Sequence, residues 1–338
     1  MRAVTITRPG GPEVLEVALV PDPQPGLSDL LVEVEAAGIN RADLLQREGH
    51  YPAPPGTPPW PGLEVAGVVR AVGAAVGARG GTGPGSDERW QPGDRVAALL
   101  PGGGYAERVV VAAELALHVP DHVPTNDAAA LPEALATAWT VLETGRATPG
   151  ETLLVRGGSG GVGSVTVQLA HALGLRVLAT AGGRERVERV ARLVPDGSLV
   201  VLDHRADDLV EQVRAATDGR GVDVVLDVLG AGGLADNVAM LALDGRVVVI
   251  GLQRGRRAQI DLGELLARRG AVLTTTLRSR SSSDKARIMS EVRARAWPLV
   301  ADGRVRPVVH ATLPFEQAGR AHELLASGEV LGKLLLVP

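Results

Sequence analysis

The chain has 338 residues, 45% hydrophobic and 2% aromatic, with no cysteine and a net charge of −4. This length exceeds one ordinary core and calls for two domains, and the acidic balance gives no bulk attraction to nucleic acid. Without cysteine there are no disulfides, thiolate nucleophiles or cysteine-ligated zinc sites, and no run of about 18 apolar residues is present to cross a membrane.

The N-terminus, "MRAVTITRPGG", has no apolar signal core, so a cytoplasmic protein is expected. The first 120 residues hold short strand-like runs broken by Gly and Pro: "RAVTI", "DLLVEVEAAGI", "LEVAGVVRAVG", "DRVAAL" and "YAERVVV". Between them, residues 76–94 have the composition of a surface loop. Residues 127–143 read as a helix, with Asp127 suited to its N-terminus. Strands and helices then alternate. "TLLV" precedes a helix from Val162 to Leu173, "RVLAT" a helix from Arg184 to Leu193, and "LVVLD" a helix near 206–216. "VDVVLDVLG", "GRVVVIGL" and "AVLTTTL" follow as apolar strands. Continuous apolar strands alternating with helices predict a parallel sheet covered on both faces. The last 55 residues hold a helix in "SDKARIMSEVRARAWPLVADG", a strand near Arg306–His310, a short helix after "LPFEQA" and the strand "GKLLLV". They read as a return to the first domain.

After the "TLLV" strand comes Gly158-x-Gly160-x-x-Gly163, opening a helix whose Val162, Val165, Leu169 and Leu173 form one apolar face. In this strand–turn–helix setting, Gly158, Ser159, Gly160, Gly161, Val162 and Gly163 are candidates for cradling a pyrophosphate at a helix N-terminus. The same residues, Gly157 to Gly161, also fit a serine-hydrolase elbow, with Ser159 as nucleophile and His310 or His322 as base. The elbow normally lies deep in a sheet, whereas here it opens the α/β region. The second strand ends in "LATAGGRER", 178–186, with no acid at its tip to hold a ribose 2′-hydroxyl. Gly182 and Gly183 lead instead to Arg184 and Arg186, which suit the 2′-phosphate of NADPH. Alternatively the two arginines lie on a solvated helix face. His204 and Arg205, after the third strand, flank the same pocket or are plain surface.

The chain resembles the medium-chain dehydrogenase/reductase superfamily, in its zinc-free, zeta-crystallin-like quinone oxidoreductase branch. The resemblance rests on "GINRADLLQREGHYPAPPG" (38–56), "PGLEVAGVV" (61–69), "GDRVAALLPGGGYAERVVV" (93–111), "ALPEALATAWTVL" (130–142), "GGSGGVGSVTVQLA" (157–170), "LALDGRVVVIGL" (241–252) and "LRSR" (277–280). Several of these look closest to the stress-inducible quinone oxidoreductase subgroup. The resemblance implies an α/β protein: a GroES-like strand-rich catalytic domain, 1–125 and 279–338, and a Rossmann doubly wound parallel-sheet domain, 126–278, binding NADPH.

The resemblance also implies roles. Where superfamily alcohol dehydrogenases place zinc ligands, this chain has Asn40 and Gly62-Leu63-Glu64, so no metal is expected. Hydride would pass from NADPH to a quinone, ortho-quinones favoured, in the interdomain cleft; an enone or enoyl thioester is the alternative acceptor. Asn40 would hydrogen-bond near the nicotinamide, and Tyr51 would orient or protonate the acceptor or simply pack the wall. Thr137, Gly230, Gly251, Leu252, Leu277, Arg278 and Ser279 would edge the cofactor, and Lys333 would reach a cofactor phosphate or lie on the surface. Relatives form dimers, and "GRVVVIG" and "AVLTTTL" offer a sheet edge for a homodimer. Neither nucleic acid nor membrane is expected as a partner.

Overall fold

The computed structural model describes residues 1–78 and 89–338, so residues 79–88 of the 76–94 loop lie outside the described residues. The chain divides into two units: 1–136 with 278–303 and 307–338, and 137–277 with 304–306.

The first unit is built on strands β1 (Arg2–Ile6), β2 (Leu15–Leu19), β3 (Asp29–Gly38), β4 (Glu64–Val72), β5 (Arg95–Leu99), β6 (Arg108–Ala112) and β7 (Ala116–His118). Helix α1 (Arg41–Arg47) follows β3, and α2 (Ala74–Ala78) follows β4. In β3, Leu30, Val32, Val34 and Ala36 are buried while Glu35 is exposed, the alternation of a strand with one face on a core. Antiparallel pairing joins β3 to β4, β4 to β5 and β5 to β7, and β6 lies along the first half of β3.

The helix expected over 127–143 is two helices, α3 (Thr125–Ala128) and α4 (Pro132–Thr144). Pro132 has no N–H and cannot continue a helix from behind, but it suits a first position. The boundary between the units falls inside α4, between Ala136 and Thr137.

The second unit runs β8 (Thr152–Val155), α5 (Gly161–Ala172), β9 (Arg176–Ala181), α6 (Arg184–Ala191), β10 (Val200–Asp203), α7 (Leu209–Ala215), β11 (Val222–Asp227), α8 (Leu234–Ala239), β12 (Leu241–Val249), α9 (Leu262–Ala267) and β13 (Ala271–Thr274). Its sheet order is β10-β9-β8-β11-β12-β13, parallel throughout. This is the doubly wound order whose direction reverses between β8 and β11, where such sheets bind ligands. Leu154, Leu178, Val225 and Val247 from four adjacent strands are fully buried, which is why these strands read as continuous apolar runs. Helix α5 is buried along Gly163–Ala170, beyond the single face its spacing suggests.

The chain then returns through α10 (Ser282–Glu291), α11 (Trp297–Ala301), β14 (Val309–Pro314), α12 (Ala318–Ser327) and β15 (Lys333–Val337). The long helix expected after Ser282 is interrupted by a π-helical turn at Val292–Ala296, just before Pro298. The strand expected near Arg306–His310 begins only beyond Pro307, at Val309. β14 pairs with β15, and β15 with the end of β3, which carries the C-terminus back to the first unit's sheet. Among the described residues no helix is long and apolar enough to cross a membrane.

Candidate functional site

In the second unit the glycine turn links β8 to α5. A Cβ on Gly163 would lie 2.1 Å from Gly157 O, so only glycine lets the helix start this close to the strand end. The turn is tied to the neighbouring strand: Gly157 N–H donates to Thr180 Oγ1 at 3.1 Å, and Gly158 N–H to Thr180 O at 2.8 Å. Gly160 caps α5 without a side-chain hydrogen bond. The first N–H groups of a twelve-residue helix therefore face outward at the carboxyl end of the sheet, an arrangement that suits an anion. The cradle fits a dinucleotide pyrophosphate. Ser159 sits in this turn, and among the described residues no base is hydrogen-bonded to its hydroxyl.

At the tip of β9, Thr180 and Ala181 are followed by Gly182 and by Gly183, whose φ of 82° favours glycine. The cations gather around them. Arg186 Nε donates to Gly182 O at 2.7 Å, folding the guanidinium back over the tip. A side-chain carbon at Gly182 would meet His204 Nε2 at 2.7 Å and Arg186 Nη2 at 3.1 Å; one at Gly183 would meet Arg205 Nη1 at 3.1 Å. Arg184 fits the alternative of a solvated helix face: its side chain is 93% exposed and pairs with Glu188 one turn on. Arg205 takes its place beside the glycines. Burial, then the charge of Arg254, lowers His204 from its ordinary value, so the ring is neutral near pH 7. Asp203, at the end of β10, is the acid bonded to this tip. Its carboxylate accepts Gly183 N–H at 3.1 Å and Arg205 N–H at 3.0 Å, and these bonds hold it below the usual carboxylate range.

Beneath the point where the strand order reverses, Asp227 at the end of β11 accepts Gly230 N–H at 2.7 Å and Asn237 Nδ2 at 2.9 Å. Arg156, which precedes the glycine turn, donates to Asn237 Oδ1 at 2.7 Å. This buried network fixes the Gly230 turn. Gly251 follows β12 and packs on the Val228 backbone, and Leu252 beside it is 54% exposed. Thr137 and Leu277 are half-buried.

The first unit holds the other group of expected residues. Asn40 follows β3 and precedes α1, and its amide is fixed from two sides. Lys333 Nζ donates to Asn40 Oδ1 at 2.6 Å, and Asn40 Nδ2 donates to Glu64 Oε1 at 2.9 Å. Lys333 and Glu64 form a direct ion pair with 3% and 0% of their side chains exposed. Glu133 N–H donates to the other Glu64 oxygen at 2.9 Å. The alternative that Lys333 lies on the surface is corrected here: its ammonium is held inside the first unit by the Glu64 carboxylate and the Asn40 amide. The fully buried Glu64 carboxylate needs a cation, and Lys333 on β15 is the one it has.

Tyr51 follows α1, with its N–H bonded to Leu45 O. Its ring is half-buried, and the Arg278 guanidinium carbon stands 5.2 Å from the ring centroid. Arg278 donates to Pro101 O, Tyr51 O and Gln46 Oε1 at 2.9, 3.2 and 2.6 Å. Three acceptors within its own unit hold its guanidinium in place. Ser279 next to it is exposed. Burial raises the Tyr51 phenol above its ordinary value, which keeps it a proton-bearing donor at neutral pH.

Sequence reasoning missed Thr180, Asp43, Tyr105 and the role of Glu64, and it considered His322 only as a hydrolase base. Asp43 was findable: it lies three residues after Asn40, and its carboxylate accepts Asn40 N–H at 2.8 Å, as capping-box spacing suggests. The Lys333–Glu64 pair has no local signal, because its partners are on strands at opposite ends of the chain. His322, weighed as a base for Ser159, is fully buried against Tyr105 and Arg47 in the first unit.

Comparison with known proteins agrees with this architecture. A family model described as "Alcohol dehydrogenase GroES-like domain" matches residues 26–121, and one described as "Zinc-binding dehydrogenase" matches 197–336. The chain is 32% identical to a quinone oxidoreductase of Rattus norvegicus, over 100% of this chain and 98% of the relative. It is also 32% identical to a quinone oxidoreductase of Pseudomonas aeruginosa, over 97% of each. A solved Escherichia coli quinone oxidoreductase complexed with NADPH superposes with a TM-score of 0.82 at 29% identity, covering both chains completely. The chain belongs to the medium-chain dehydrogenase/reductase superfamily, in its quinone oxidoreductase branch.

Proposed function

We propose that this protein is an NADPH-dependent quinone oxidoreductase that works without zinc, with ortho-quinones favoured as acceptors. The observation that carries the reading is the tip of β9, where Arg186, His204 and Arg205 surround two glycines, the strand itself ends in no acid, and the nearby Asp203 carboxylate is taken up by the Gly183 and Arg205 N–H groups. The relatives named quinone oxidoreductases, and the NADPH in the E. coli structure, support it.

Bound NADPH supplies a hydride. The α5 N-terminus would hold its pyrophosphate, Arg186 and Arg205 its 2′-phosphate, and Gly230, Gly251, Leu252, Leu277 and Thr137 would line its path. Tyr51 would orient the acceptor and return a proton to the reduced oxygen. The donor set does not fit zinc: the chain has no cysteine, and both Glu64 oxygens are taken by Lys333, Asn40 and the Glu133 N–H. A quinone is electron-poor enough to accept hydride without a Lewis acid, whereas alcohol oxidation draws on one. The protein would act as a homodimer: β13 is an edge strand, and Leu262 and Leu266 on the preceding α9 are 69% and 77% exposed.

The test is the initial rate of NADPH oxidation with phenanthrenequinone, NADH in parallel, with and without EDTA. Turnover that prefers NADPH and survives EDTA supports the reading. Equal use of NADH removes the phosphate argument, and tight NADPH binding without quinone turnover favours enoyl thioesters. Light scattering on the eluted protein reports the oligomer.

A further inference from the structure

Four buried side chains in the first unit have no part in the chemistry above. Asp43 and Arg47 are on α1, Tyr105 precedes β6, and His322 is on α12; Asp43, Tyr105 and His322 are fully buried and Arg47 nearly so. Tyr105 Oη lies 3.2 Å from Asp43 Oδ2 and 3.3 Å from His322 Nε2, and Arg47 Nη1 lies 3.4 Å from His322 Nδ1.

Chemistry sets the direction of every bond. A guanidinium only donates, so His322 Nδ1 must accept. The neutral ring then carries its proton on Nε2 and donates it to Tyr105. The single phenolic proton is left for Asp43. Burial and the Arg47 charge push His322 down to about 3, so the ring stays neutral. Arg47 is itself anchored, donating to Gly10 O at 3.0 Å and to Glu48 at 2.8 Å. Asp43 also receives Asn40 N–H at 2.8 Å and Gly62 N–H at 2.9 Å. The other charges bearing on Asp43 and Tyr105 are Lys333 on β15, Arg278 before α10 and Glu64 on β4.

We propose that Arg47, His322 and Tyr105 form a one-way hydrogen-bond relay that holds Asp43 as an acceptor. They are positioning residues for α1, and through it for Asn40 and Tyr51. This rests on the reading that Asn40 and Tyr51 serve the acceptor site. A proton on Asp43 would meet only donors: two backbone N–H groups, and a phenol that cannot turn because the His322 Nε2–H points at its oxygen. Acidification therefore breaks one of the three bonds that set α1. Burial pushes Asp43 up to about 6, which places this event in the acid limb of activity.

The test has two arms on the full-length protein. Nitrogen-15 NMR of labelled histidine, with His322 assigned by its loss in His322→Gln, should show a protonated Nε2 and a bare Nδ1 from about pH 5 to about pH 8. In Tyr105→Phe the acid limb of kcat/KM for a quinone should move upward by about one pH unit, since Asp43 loses a donor that favours its charged form. A protonated Nδ1, a titrating His322 ring or an unmoved limb overturns the relay. Absence of quinone turnover would sink the functional reading alone, and the NMR arm would still decide the relay.

Discussion

Replacing Lys333 with Met separates two roles for the same ammonium. In the structure it neutralises Glu64, whose side chain is 0% exposed, and it donates to Asn40. Lys333→Met leaves that carboxylate with the Asn40 amide and the Glu133 N–H but no cation. Removing one member of a buried ion pair costs about 3–5 kcal/mol, because the remaining charge is stranded away from water. Adding Glu64→Gln removes the stranded charge and keeps an acceptor for Glu133 N–H, so the double variant should recover about half of the loss. Urea unfolding followed by tryptophan fluorescence suits the question: Trp60, Trp90 and Trp297 belong to the first unit and only Trp139 to the second. For a unit of this size the single variant should lower Tm by roughly 6–20 °C. A loss below about 1 kcal/mol would refute the reasoning. An unchanged Tm with weakened NADPH binding would return Lys333 to a cofactor phosphate.

Arg186→Ala should weaken NADPH binding about 10- to 100-fold, the size of a lost charge-assisted hydrogen bond, and leave NADH nearly unchanged; Arg184→Ala should move neither by more than about threefold. Fluorescence titration of each cofactor checks both. Tyr51→Phe should lower kcat with a quinone about 10-fold or more if the phenol donates in the reaction, and by less than twofold if the ring only packs. Gly163→Ala should destabilise the second unit by about 1–3 kcal/mol, since its Cβ meets the Gly157 carbonyl, and calorimetry without cofactor would register it. His322, at about 3 in the folded chain against an ordinary 6.5, supplies stability that is present above pH 6.5 and lost as pH falls toward 3. Asp43 acts with the opposite sign between 3.8 and about 6. His322→Gln should therefore flatten the fall in urea midpoint below pH 6.5.

The second unit is legible in the amino-acid sequence alone. Its strands are continuous apolar runs, its helices follow at fixed spacing, and Gly158, Gly160 and Gly163 stand where a strand turns into a helix. Those are local signals, each readable within a dozen or so residues. The first unit's strands were readable too, from alternation in runs such as β3. The breaks at Pro132 and Pro298 were written in the sequence, but the apolar pattern ran across them and hid them. Which cations face the β9 tip, by contrast, depends on how the folded chain places them. Arg184 and Arg186 look equivalent in sequence, and the turn of α6 sends one to solvent while Arg205 arrives from β10. Tertiary structure alone also paired Lys333 with Glu64 and Arg47 with His322, across 269 and 275 positions of chain. Buried charges and buried ring nitrogens must find partners wherever the fold delivers them, and no local pattern records a partner that arrives from the other end of the chain.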